Sequence, residues 1–100
     1  MTYRITQIAD EDLVSIAGYS LQKWGEGQTR AYIEELFSLF DDIAKKPLAS
    51  AKADYIQPGL RKQLHPKRKH VVYFRLGGDG TVEILRILHA HQNHENRFEE

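Results

Sequence analysis

The sequence contains no cysteine. That excludes disulfide bridges and thiol catalysis, and it suits a reducing cytoplasm. No apolar run approaches the ~18 residues that span a bilayer. Acidic residues, not an apolar stretch, follow Met1-Thr2-Tyr3-Arg4-Ile5, so no secretory signal is expected. No internal repeat or low-complexity tract is visible. A glycine-rich phosphate loop is also missing. Gly77-Gly78-Asp79-Gly80 lies between two strand-like runs rather than before a helix, so it reads as a turn.

Positive charge is scarce in the first part of the chain. Residues 1–44 hold three basic residues (Arg4, Lys23, Arg30) and eight acidic ones. Residues 45–75 reverse this, with nine basic residues against Asp54 alone. Residues 76–100 hold two basic and five acidic residues, so the net charge of zero conceals a basic middle. One positive face suits nucleic acid or an acidic protein surface. The competing reading is a solvated strand and loop.

What is present suffices for a folded globule: 100 residues, 41% hydrophobic and 10% aromatic. This length predicts a single domain, 1–100, with one modest core. The polar residues 90–100 read as a flexible or partner-ordered tail.

Residues 2–6 read as a short strand, with Tyr3 and Ile5 on one face. A helix follows from about Ile8 to Trp24, its apolar face being Leu13, Ile16, Ala17, Leu21 and Trp24. Asp10, Glu11 and Asp12 suit the positive end of its dipole, and Gly25 suits its C-terminal cap. A second helix runs from about Gln28 to Lys45 and stops at Pro47. The short link makes the pair an antiparallel hairpin. Its apolar set, Tyr32, Ile33, Leu36, Phe37, Leu39, Phe40, Ile43 and Ala44, is wider than one stripe. Residues 47–58 form an irregular connector. Strands follow at Leu60–His65, His70–Leu76 and Val82–Leu88, joined by turns at Pro66–Lys69 and Gly77–Gly80. The nearly continuous apolar run of the last strand predicts an interior position.

The fold class is therefore α+β, order β-α-α-β-β-β, with a helical hairpin packed on an antiparallel sheet. The hairpin covers one sheet face. No element is left for the other, which reads as a binding surface.

That reading gives the strand arginines their interest. Arg75 and Arg86 sit in runs otherwise suited to burial, and Glu83 is the only acidic residue within those strands. Glu83 lies an odd number of positions from Arg86, so alternation puts it on the opposite face. Their heads are thus expected to reach solvent or a partner, with Arg86→Ala costing the fold little. Arg61 is expected to act similarly but more weakly.

Taken together, the residues resemble the ParE toxins of the RelE/ParE toxin superfamily. The first helix carries Ala9, Asp12-Leu13, Ile16, Tyr19 and Trp24-Gly25. The second carries Gln28, Tyr32, Phe40 and Ala44, then Pro47. The sheet carries Gly59-Leu60-Arg61, His70-Val71-Val72-Tyr73-Phe74-Arg75 and Ile84-Leu85-Arg86-Ile87-Leu88-His89. Ser50-Ala51 stands where the family often has Gly-Arg, and Asn93 where it often has Asp. The resemblance implies the toxin of a type II toxin–antitoxin system that inhibits DNA gyrase by binding. It also implies neutralisation by a cognate ParD-like antitoxin, with nucleic acid met only through gyrase or antitoxin. The rivals are a RelE-like ribosome-dependent messenger-RNA endoribonuclease and an inactive antitoxin-binding module. Candidate contacts to target or antitoxin are Arg61, Arg75, Arg86 and His89. Tyr19, Trp24, Tyr32, Phe37 and Phe40 recur at helical spacing and read as core between hairpin and sheet; Tyr32, Leu36, Phe37 and Phe40 are also candidates for an antitoxin groove.

Ribonucleolytic cleavage would need a base, an acid and cations on the phosphate. Arg61, Arg75 and Arg86 with His65, His70, His89, His91 or His94 could be assembled into such a set. Any basic domain with five histidines allows one, and His70 alternates with Val72 and Phe74 as a packed residue would. His89, His91 and His94 have the only metal-like spacing, without supporting carboxylates or thiols, and read as a solvated tail. No catalytic residue, metal or cofactor is assigned.

Overall fold

Thr6 begins the helical hairpin. Its extended backbone lets the side-chain oxygen accept the Ala9 N–H at 3.2 Å, an N-cap that satisfies one orphan donor. The same hydroxyl donates to the Leu85 carbonyl at 3.3 Å, so the cap also ties the helix start to the sheet. The computed structural model describes residues 2–98. Its elements are β1 (Tyr3–Ile5), α1 (Gln7–Trp24), α2 (Glu26–Lys45), β2 (Ala51–Lys52), β3 (Arg61–Leu64), β4 (His70–Leu76) and β5 (Val82–His89). Short 3-10 turns lie at Pro47–Ala49 and Glu95–Phe98.

The link between the helices is Gly25 alone, at φ +85°. Only glycine adopts that angle without strain. The second helix thus begins two residues earlier than composition suggests, and Gly27 lies inside its first turn.

Strand order is β1-β5-β4-β3-β2. The last three strands form the expected antiparallel meander, and β5 is interior. β1 pairs with β5 in parallel, Tyr3 opposite Val82 and Ile5 opposite Ile84. Two residues of the connector, Ala51 and Lys52, add a strand beside β3 that composition did not suggest.

The hairpin packs on one sheet face as expected. Leu36, Phe40, Val72, Phe74, Val82 and Ile84 have no exposed surface, and Ala9, Leu13, Tyr32 and Ile43 complete this core. Of the four groove candidates, Leu36 and Phe40 lie wholly in the core, Tyr32 is buried with an edge on a cleft, and Phe37 is the most exposed. The α1 stripe holds only in its first half. Leu21 and Trp24 are 53% and 50% exposed, and Trp24 borders an open cleft beside the strand ends rather than the core.

The opposite sheet face is not bare, which corrects the sequence reading. Ala53, Leu60, Val71, Tyr73 and Leu88 are buried there in a second cluster, with Ile56, Ala90 and Phe98 packed against it. The connector and residues 90–98 supply the cover. Phe98 meets the Tyr73 ring edge-on at 5.1 Å, and His94 bonds the Tyr73 hydroxyl. Polar composition hid this because one phenylalanine and one histidine carry the docking.

A bulge explains a second correction. Tyr73 faces Arg86 and Phe74 faces Ile84, leaving Leu85 as an extra residue on β5. An inserted residue breaks simple alternation, so counting from Glu83 to Arg86 does not fix their faces. Glu83 stands directly opposite Arg75 and accepts from its Nε at 2.8 Å, while Arg4 bonds the same carboxylate. Arg86 finds its acid on α1. Its Nε and Nη2 donate to the two oxygens of Asp12 at 2.9 and 3.0 Å. Both arginines thus have acidic partners within the chain, contrary to the sequence expectation, and Arg86 is tied into the fold.

Candidate functional cleft

A cleft of about 620 Å³ opens between the hairpin and the end of the sheet. Tyr19 and Trp24 line it from α1, Tyr32 from α2, Lys67–Lys69 from the β3–β4 turn, and His70, His89 and His91 from the strand ends. Three local devices shape it. Ser20 accepts from Thr29 at 3.0 Å, holding the hairpin shut above the cleft. The turn is tightened by Arg68 N–H donating to the His65 carbonyl at 2.7 Å, with Arg68 itself at φ +62°. That angle is strained for an arginine. Antiparallel register then sets His70 opposite His89, with ring centres 5.5 Å apart.

The imidazoles differ in surroundings. His70 Nδ1 and the Tyr32 hydroxyl are hydrogen-bonded at 2.7 Å. Burial, then the nearby His89, His65 and Lys69, push His70 down to about 4. Burial, then Glu35, pushes Tyr32 up to about 12. Both are neutral near pH 7, so the pair is a packed hydrogen bond rather than an ion pair. His65 lies behind the cleft, 1% exposed, its Nδ1 accepting the Lys67 N–H at 3.0 Å. Burial lowers its pKa, and Lys67 adds to this against the pull of Glu35. His65 Nε2 has no hydrogen-bond partner among the described residues.

The cations of the turn are unevenly placed. Lys67 pairs with Glu35 at 3.0 Å. Lys69 Nζ instead lies 5.3 Å from the Trp24 ring centre, a cation–π position. Arg68 and Lys69 make no ion pair among the described residues.

The candidate contact residues do not converge. Only His89 lines the cleft, beside Tyr32 from the groove set. Arg61 lies over the connector, donating to the Ser50 carbonyl at 2.8 Å. Arg75 sits with Glu83 at the end of β4 remote from His70. Arg86 is held by Asp12. His94 bonds the Tyr73 hydroxyl through Nδ1 and the His89 carbonyl through Nε2 at 2.8 Å, so both its ring nitrogens are engaged and no metal-binding group forms among the described residues. Sequence reasoning missed Trp24 and Tyr19 as cleft walls, since helical spacing reads them as core. The usable signal was the basic turn Pro66–Lys69 directly before a strand starting with histidine.

Comparison with known proteins accords with this architecture. Residues 3–94 match the family described as "ParE toxin of type II toxin-antitoxin system, parDE". Toxin ParE1 of Caulobacter vibrioides is 35% identical over 91 residues, 91% of each chain. Toxin ParE1 of Mycobacterium tuberculosis is 31% identical over 87 residues, 87% of each. A solved structure titled "Chromosomal ParDE TA system from P. aeruginosa" superposes with a TM-score of 0.80 at 20% identity, over 91% of this chain and 97% of that one, a likeness of fold. The family match spans both the hairpin and the sheet that frame the cleft, and the chain belongs to the ParE toxin family of type II toxin–antitoxin systems.

Proposed function

We propose that this chain inhibits DNA gyrase by binding, in the cytoplasm, and is neutralised by a ParD-like antitoxin. The family match over residues 3–94 carries this reading. Two features of the surface support it. Ile8, Val14, Leu21 and Phe37 stay exposed on the hairpin outside the cleft, as expected of a surface kept for a protein partner. Arg61, Arg75 and Arg86, the arginines that the sequence offered for a phosphate during cleavage, are separated from the cleft histidines and engaged elsewhere. His70 is packed against Tyr32 and hydrogen-bonded to its hydroxyl at 2.7 Å, the geometry of a packed histidine.

Controlled induction in a gyrase-dependent host tests the reading. Growth arrest with an SOS response, intact messenger RNA and rescue by the co-expressed antitoxin is the expected outcome. The purified chain should inhibit gyrase supercoiling in vitro. Codon-phased cleavage of translated messages, mapped by primer extension, would instead assign the chain to the ribonuclease branch. Arrest without either signature would refute both.

A further inference from the structure

We propose that the cleft between the hairpin and the β3–β4 turn binds a nucleotide unit, its base stacked on Trp24 and Tyr19 and its phosphate held by Arg68 and Lys69. This goes beyond the gyrase reading and does not depend on it. The cleft volume, about 620 Å³, falls in the range of small-ligand sites, about 300–1,000 Å³. Its chemistry is one-sided. Lys67, Arg68, Lys69 and three imidazoles line it, and no carboxylate does among the described residues. Glu35 answers Lys67 from outside the lining, which leaves Arg68 and Lys69 as the cations open to an anion. A wall of cations without acids selects a phosphate-like group.

The apolar wall narrows the choice. Tyr19 is 63% and Trp24 50% exposed, so two rings stand open to solvent beside that charge. Exposed aromatic faces next to cations are the standing requirement for base stacking with phosphate contact. Lys69 Nζ is 5.3 Å from the indole centre. One molecule with a planar base and a phosphate can therefore meet both at once. His70 and His89 floor the site between them, where imidazole and hydroxyl groups can supply hydrogen bonds. An isolated inorganic anion would leave the rings unused, and an apolar ligand would leave the cations unused.

Trp24 is the sole tryptophan, so intrinsic fluorescence of the full chain reports directly on this cleft. AMP and a short oligothymidylate should each give saturable quenching, with adenosine and inorganic phosphate far weaker. AMP as the better ligand points to a free nucleotide; a much tighter oligonucleotide points to a single strand. Either supports the site. Removing two phosphate contacts, as in Arg68→Ala/Lys69→Ala, should weaken AMP binding at least about tenfold with an unchanged circular dichroism spectrum. Trp24→Phe, followed by amide chemical shifts, should retain binding and shift residues 67–70 and 89–91. Absence of saturable quenching by both nucleotide probes overturns the proposal. So does binding that the double variant leaves intact. Quenching by an acidic peptide but not by nucleotide would overturn it too, and reassign the cleft to a protein partner.

Discussion

Asp12 on α1 clamps Arg86 on β5 through two hydrogen bonds, of 2.9 and 3.0 Å, between matched flat groups. One oxygen of Asp12 also accepts the Ile87 N–H at 2.9 Å, next to the bulge and past the end of β1. The third guanidinium nitrogen donates to the Arg97 carbonyl at 3.0 Å. One pair therefore joins the first helix, the uncovered edge of β5 and the C-terminal turn. The hydrogen bonds from Arg86 to Asp12 raise the arginine's pKa against the cost of partial burial.

Breaking this clamp should unfold the protein more readily. Asp12→Ala strands a half-buried guanidinium and a backbone donor, and should cost about 2–4 kcal/mol. Arg86→Ala should cost about 1–3 kcal/mol, since Asp12 keeps the Ile87 contact. Urea unfolding of both variants is the check. Midpoints equal to wild type in both would show that the clamp contributes nothing to stability. Loss of toxicity in Arg86→Ala must accordingly be corrected for the folded fraction.

Arg75 offers a cleaner functional probe. Its side chain is 55% exposed, and its bond to Glu83 lies at the surface. The bonds from Arg75, then Arg4, hold the Glu83 carboxyl below the usual carboxylate range. Arg75→Ala should change stability by less than about 1 kcal/mol, the usual worth of an exposed pair. If growth arrest or antitoxin affinity falls while the melting temperature does not, Arg75 is a contact residue. Unchanged toxicity and affinity would remove it from that role.

Acid should weaken the fold below neutrality. His70 binds its proton near pH 4 when folded, against about 6.5 when unfolded. Between those values the unfolded chain holds more protons, so stability rises with pH there and is complete above about 6.5. His65, whose pKa is also lowered, acts in the same direction. For His70 alone the loss on going from pH 7 to pH 4 should approach 3 kcal/mol, order of magnitude about 2–3. Urea titrations across this range should show it, and His70→Gln should flatten the profile. A profile of equal slope in His70→Gln would place the acid sensitivity elsewhere.

The C-terminal turn should act as a lid on the second core. Phe98 covers Tyr73, and Gln57 donates to the Phe98 carbonyl at 3.4 Å. Phe98→Ala should cost about 1–2 kcal/mol, less than a central core truncation because the ring is only partly buried. Hydrogen exchange should quicken at Val71, Tyr73 and Leu88. Unaltered protection there would mean that the segment merely rests on the sheet.

Local chemistry determined the elements and their order. Gly25 is a cap residue by type, Pro47 ends a helix wherever it falls, and apolar spacing of 3.6 or 2 marks helices and strands from neighbouring residues alone. The hairpin-on-sheet core and every element of the order except the two-residue β2 were legible for that reason. The partners of the charges were not. Asp12 and Arg86 are 74 positions apart, and alternation counted along β5 fails at Leu85, whose extra place shows only once β4 is paired beside it. Tyr19 and Trp24 carry core-type spacing, yet in the fold they border an open cleft at the strand ends, which only packing decides. Which side chain meets which cation depends on distances across the chain, and those exist only after the sheet has set its register and the hairpin its packing.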